Sequence, residues 1–353
     1  MGLRRIMPIE EWPEVDRDLW ERVSGGQDFF SDDIARPAHW RAPTRHKAVK
    51  LYGRWLTFIV EMGRLIPAEH PCDRVTPEAV RAYVEMLQAQ VSSYTSWSYV
   101  VVLHQMALAF GPERDWTWLY RITAKLGARR VPTRHKLSRM RPAHEIASWA
   151  QHELNRLLAT PPQRPRDAKA YRDVLMLALL IDCPMRSRNL TMIRIGHHLV
   201  RTSTGWVLRF APHEVKTNIY LKMEIGEHLY PYLEAWLDDI RHIMLAGKET
   251  DCLWVGITGR PLLARGIHKA ICETTQRAFG RPINPHLFRD IAATSVADED
   301  PAHVGIAGLL LGHTNPKTVE NHYIHADQIR AGRRHRDAIS ALRQDLQRKK
   351  AQL

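Results

Sequence analysis

Read in chain order, a small set of side chains in the second half of this sequence could together move a phosphoryl group. They are Arg186 with Asn189 three residues on, Lys216 in Val215-Lys216-Thr217, His286-x-x-Arg289, Leu311-Gly312-His313, and Tyr323 in Tyr323-Ile324-His325. A phosphodiester under attack spreads negative charge over its non-bridging oxygens. A catalyst therefore needs fixed donors there, an in-line nucleophile and a proton source for the leaving oxygen. Two arginines, two histidines and a tyrosine supply most of that set. A guanidinium presents a planar fork of donors that can hold two phosphate oxygens without losing its charge, which neither lysine nor histidine matches. A phenolate, with an unperturbed pKa of about 10, is less basic than a sugar alkoxide and can both attack and leave again.

Taken one at a time, each group has a plain structural explanation. Arg186 suits a surface charge near a helix start, His286-Leu287-Phe288-Arg289 a helix N-terminus, Lys216 a hairpin lysine and His313 a core position beside Leu-Leu-Leu-Gly. It is their order and surroundings that point to chemistry. A metal site built from His313, His322 and His325 is disfavoured, because the run contains no H-E-x-x-H pattern, no cysteine pair and no carboxylate. His213-Glu214 is likewise followed by Lys216-Thr217 rather than a second histidine, and neither a metal nor another cofactor is expected.

The elements that must position these groups show in composition and periodicity. The chain has 353 residues, enough for two domains, and its 51 lysines and arginines against 38 acids give a formal charge of +13. That balance favours a polyanionic partner, nucleic acid or an anionic surface. The longest aliphatic stretch, Val174 to Ile181, is too short to cross a bilayer, and no export or myristoylation signal is expected at the N-terminus. Four scattered cysteines without a C-x-x-C pair suit reduced intracellular thiols, and a bacterial, nucleoid-associated cytoplasmic protein is the expectation.

The expected fold class is mainly α with a small antiparallel β-sheet. Residues 1–43 suggest an irregular leader of unclear role, with one short helix near Ile9 to Val23. Residues 44–120 suggest a helical domain, with a helix carrying Tyr52, Trp55, Leu56, Ile59 and Val60. A second helix opens at Thr76-Pro77, a third runs from about Ser93 to Phe110 before Gly111-Pro112, and a fourth lies near Trp116 to Leu126. Residues 121–142 carry eight basic side chains and no acid, and read as a basic linker in which Arg129, Arg130, Arg134 and Lys136 contact DNA phosphates. The second domain spans 143–329. In it, residues 171 to 181 form a buried helix stopped at Cys183-Pro184. Trp206–Phe210 and Tyr220–Ile225 read as strands flanking the Lys216 loop, and Cys252–Val255 as a third short strand. Residues 330–353 form a basic tail with an apolar stripe of Ile339, Leu342 and Leu346, suited to docking on another subunit.

Together, Arg186-x-x-Asn189-Leu190, a lysine between two strands, His-x-x-Arg, Leu-Gly-His and a tyrosine ten residues later resemble the tyrosine recombinase (phage integrase) family. The resemblance covers the whole second domain, and the helical segment before it is similar in layout to that family's core-binding domain. It implies Tyr323 as nucleophile, Arg186 and Arg289 as phosphate clamps, His286 and His313 as further donors, and Lys216 as general acid. The implied activity is site-specific cutting and rejoining of double-stranded DNA through a 3′-phosphotyrosine, as integration, excision or resolution. It needs no ATP, because the covalent bond stores the cleavage energy, and no divalent metal, because the arginines screen the charge. The implied partners are duplex recombination sites, a homotetramer on DNA and accessory recombination proteins, with no membrane. A type IB topoisomerase-like relaxing enzyme, or a catalytically idle DNA-binding protein, are the alternatives. This chain departs from the family in Pro184-Met185 before the first arginine and in Asn189, where an acidic residue is common; His322 beside the proposed nucleophile reads as local polar support.

Overall fold

The computed structural model describes residues 6–25, 36–131 and 139–299. His313, Tyr323, Arg134, Lys136 and the tail from residue 330 lie outside the described residues. The chain divides into two compact units, residues 1–135 and 136–353.

In the first unit, helices α1 (Glu14–Ser24), α2 (Ala42–Glu61), α3 (Pro77–Gln90), α4 (Ser93–Phe110) and α5 (Thr117–Ala128) surround one core. Their ends follow local chemistry. Thr76 Oγ1 accepts from Ala79 N at 3.2 Å to cap α3, with Pro77 at the first helical position. Ser92 Oγ accepts from Thr95 N at 3.3 Å to cap α4, which stops at Gly111. Trp55, Tyr83 and Phe58 pack edge-on or tilted in the centre, with ring centroids 5.1 to 5.8 Å apart.

The segment expected to be an irregular leader belongs to this core. Trp12, Trp20 and Val23 are buried in it, and Asp16 is fully buried against Arg74 Nη1 at 2.7 Å while accepting the Tyr52 hydroxyl at 2.6 Å. A lone buried carboxylate would be strongly unfavourable; here an arginine and a phenol satisfy it and tie α1 to the rest of the unit. Helix α5 also runs on through Ala128, so Arg121 and Lys125 belong to a helix rather than to connecting chain.

The second unit is built on α7 (Pro165–Asp182). Every residue from 171 to 180 is buried, as expected for a helix apolar nearly all round. Helices α6 (Ala143–Ala159), α10 (Arg241–Leu245), α11 (Ala264–Phe279) and α12 (Pro285–Glu299) pack on it, and α9 (Tyr230–Ala235) leads into α10 through Trp236–Ile240. Its two buried charges are paired: Asp173 accepts from Arg172 Nε at 2.9 Å and Lys169 Nζ at 2.7 Å. After the short helix α8 (Ser187–Met192) comes an antiparallel sheet of β1 (Leu199–Thr202), β2 (Gly205–Phe210) and β3 (Leu221–Glu224), in the order β1-β2-β3. Leu208 faces Leu199 on one side and Met223 on the other, and all three are buried.

The sheet differs from expectation in one strand. β2 and β3 flank the Lys216 loop as read, but the third strand is Leu199–Thr202 rather than Cys252–Val255. Thr202 pairs with Gly205 across a two-residue turn, and Gly205 adopts φ 129°, which a side chain would resist. Residues 252–255 form only isolated bridges, Cys252 to Arg194 and Val255 to Pro261, while Leu253, Trp254 and Val255 are buried in the core. An apolar run of that length fits either role, and burial decided it. Among the described residues no helix is long and apolar enough to cross a membrane.

Candidate active site

Helix α7 ends because Pro184 cannot continue it, with Cys183 as its cap residue. The chain then alternates. Met185 is driven fully into the core, and Arg186, in extended conformation with φ −71° and ψ 147°, follows half-buried as the cap position of α8. Met185 thus serves as the apolar anchor that fixes where Arg186 emerges. Asn189 is buried, its amide facing Met192 Sδ at 4.0 Å, and it forms no hydrogen bond with Arg186. Among the described residues no carboxylate forms an ion pair with Arg186.

Helix α12 carries the second clamp candidate. Asn284 Oδ1 accepts from His286 N at 3.0 Å and Leu287 N at 3.2 Å, and Pro285 supplies the first helical position. Leu287 and Phe288 are buried, which sets the rotation of the helix and places Arg289 inward at 3 % exposure. Arg289 Nη1 donates to the Pro184 carbonyl at 2.8 Å, fastening α12 to the turn that presents Arg186. His286 is exposed one helical turn before Arg289, on the same side of α12.

The structure brings the two arginines into electrostatic contact. Burial pushes the Arg289 guanidinium down to about 10, with the Arg186 charge adding to the drop and Asp290 opposing it. Burial also lowers Arg186. Two cations, one almost fully removed from water, repel each other, and a bound anion would relieve that repulsion.

Lys216 stands on a separate support, exposed in the β2–β3 connection directly after buried Val215. Sequence reasoning missed the neighbouring group. His197, His198 and Glu214 lie with their ligand atoms within 4.8 Å of one another, beside an open cavity of about 620 Å³ also lined by Asp251 and Cys252. The signal was present in the His197-His198 dipeptide and in Glu214, two residues before Lys216.

The basic stretch is only partly available for phosphate contact. Arg130 lies over the Trp97 ring, 4.1 Å from its centroid, and its Nε donates to Gly127 O at 2.8 Å. Arg139 Nε donates to Pro282 O at 3.1 Å in the second unit. Arg129 is exposed at the end of α5.

Residues 148–330 match the family model described as "Phage integrase family". Among curated proteins, the tyrosine recombinase XerD of Staphylococcus haemolyticus (strain JCSC1435) is 29% identical over 180 residues, 50% of this chain and 58% of the relative. XerD of Pseudomonas aeruginosa PAO1 is 26% identical over 174 residues, 49% of this chain and 55% of the relative. The chain therefore spans somewhat more than half the length of the curated relatives it matches. Among solved structures, the XerH site-specific recombinase bound to palindromic difH substrate, a post-cleavage complex, aligns with TM-score 0.59 at 14% identity, covering 95% of this chain and 98% of that one. The XerH pre-cleavage complex with difH gives 0.57 at 15%, covering 94% and 98%. At such identities the likeness is one of fold.

Proposed function

The chain belongs to the phage integrase family, and from that premise we propose that it is a site-specific recombinase that cuts and rejoins duplex DNA through a 3′-phosphotyrosine. The observation that carries this is the pair Arg186 and Arg289, two like charges held together with Arg289 buried. Such a pair is relieved by a phosphodiester, and its forks suit the non-bridging oxygens on which charge grows in the transition state. The formal charge of +13 suits the same partner.

In this mechanism Arg186 and Arg289 clamp the scissile phosphate, and His286 and His313 add donors to its oxygens. Tyr323 gives its phenolic proton to solvent as its Oη bonds to phosphorus and the bond to the 5′-oxygen breaks, and Lys216 protonates that departing oxygen. The phosphodiester count is unchanged, so the reverse attack by a 5′-hydroxyl reseals the strand without ATP. Duplex recombination sites are the substrate, a homotetramer is the working assembly, and accessory recombination proteins are further partners. The basic tail from residue 330 docks on a neighbouring subunit. The relatives' names favour recombination over a relaxing or idle role.

The test is a nicked suicide duplex whose short 5′-hydroxyl fragment diffuses away after cleavage. The protein should be trapped covalently through Tyr323, in EDTA as well as in magnesium, and Tyr323→Phe should abolish trapping. An adduct mapped to another residue, or one that EDTA prevents, refutes the mechanism.

A further inference from the structure

The β2–β3 connection, residues 211–220, is longer than a hairpin turn requires, and its far side faces solvent: Ile219 and Tyr220 are 51% and 54% exposed. Its near side is braced. His198, 3% exposed at the start of β1, accepts the Arg194 backbone N–H on Nδ1 at 3.1 Å. A neutral imidazole carries one proton, so Nε2 bears it and donates to Glu214 Oε1 at 3.0 Å. The other carboxylate oxygen, Oε2, accepts the Ala211 N–H at 2.8 Å. Glu214 is thereby tied both to the residue just before β1 and to Ala211, which caps its own turn, Pro212–Glu214. Burial of the carboxyl works against ionisation, but the Ala211 and His198 hydrogen bonds outweigh it and hold Glu214 below its ordinary value.

Val215, the next residue, is 2% exposed in the core, and Lys216 follows. Two consecutive anchors therefore fix the backbone from which Lys216 departs. We propose that His198 and Glu214 are positioning residues that hold Lys216 where it can protonate the leaving 5′-oxygen. This rests on the acid role assigned to Lys216 above. In the step itself the Lys216 ammonium gives one proton to the departing oxygen and becomes a neutral amine; it recovers the proton when the attacking 5′-hydroxyl reseals the strand. A proton donor must stand at hydrogen-bond distance, roughly 3 Å, from its target.

The same residues resemble a metal site in composition, but the hydrogen bonds favour the brace. For His198 Nε2 to ligate a cation, the ring would have to lose its one proton or abandon the Arg194 N–H. The direction of donation is locked along the whole path. In Glu214→Gln, whichever way the amide faces, its NH2 group meets a second donor, either His198 Nε2–H or Ala211 N–H, so one link must break.

The experiment compares single-turnover cleavage by the full-length protein on two nicked substrates. One carries the natural bridging 5′-oxygen, and the other a bridging 5′-sulfur, whose thiolate leaves without protonation. On oxygen, Glu214→Gln and His198→Phe should be slowed roughly 10- to 100-fold with DNA affinity retained. On sulfur, both should return to within about threefold of wild type, and so should Lys216→Ala. A defect that persists on sulfur, or no defect on oxygen while Lys216→Ala is slow, overturns the brace. Stoichiometric Zn2+ binding by the wild type, lost in His198→Phe, would assign the cluster to a metal and also overturn it. If Lys216→Ala is itself not rescued by sulfur, the acid role fails and the purpose of the brace with it; rescue of Lys216→Ala alone separates the two.

Discussion

Arg289 should be a liability to the DNA-free fold and indispensable once DNA is bound, and Arg289→Met separates those two effects. The drop of its guanidinium from the ordinary arginine value to about 10 corresponds to about 3 kcal/mol against the charged form in the fold. Methionine is apolar, flexible and able to fill a buried position such as that of Arg289. Against the relief stands the hydrogen bond to the Pro184 carbonyl, worth about 1.5–3 kcal/mol for a charged donor. The variant should therefore be as stable as the parent, or more stable by up to about 2 kcal/mol. The sign with pH follows from the lowered value. The folded penalty exists wherever the guanidinium is charged, everywhere below about pH 10, so the gain should be flat between neutral and mildly alkaline pH. Urea unfolding of the intact protein reads stability, and suicide-substrate cleavage reads chemistry, which should fall on the order of 10²–10³ or more. Arg289→Lys should lose cleavage on a similar scale while keeping much of its DNA affinity, because charge is kept and the fork is not. A loss of more than about 2 kcal/mol in Arg289→Met, or near-normal cleavage by either variant, would make Arg289 a structural strut and refute the anion-site reasoning.

The other expectations concern the first unit and the basic stretch. Asp16→Ala leaves Arg74 buried without its partner and should destabilise the first unit by about 3–5 kcal/mol in urea unfolding; a change under about 1 kcal/mol would show that α1 is dispensable. Replacing Arg129, Arg130 and Arg134 with Ala should make the slope of log affinity against log salt shallower by about 0.9 per lost phosphate contact, equally on specific and random duplexes. Arg130→Ala alone should also lower first-unit stability by about 0.5–1 kcal/mol through loss of its stacking on Trp97; an unchanged salt slope in the triple variant would remove these arginines from the DNA interface.

Residue order alone was enough for the elements whose signals are local. Thr76-Pro77 starts α3 because a hydroxyl cap and a proline at the first position act within one turn, and Gly111 stops α4 for an equally local reason. It also determined the chemical identities at the candidate site, since a guanidinium fork or an exposed loop lysine is a property of residue type and position. Tertiary structure decided what depends on partners remote in sequence. The leader became core because Asp16 found Arg74, 58 residues away, and a four-residue strand such as β1 is defined only by the strand beside it. The adjacency of Arg186 and Arg289 rests on a bond between Arg289 and Pro184 across 105 residues, and burial, which no residue order records, lowers both guanidinium pKa values. The role of His198 was hidden longest, because which imidazole nitrogen carries the proton is set by a backbone N–H in the folded chain and leaves no trace in the order of residues.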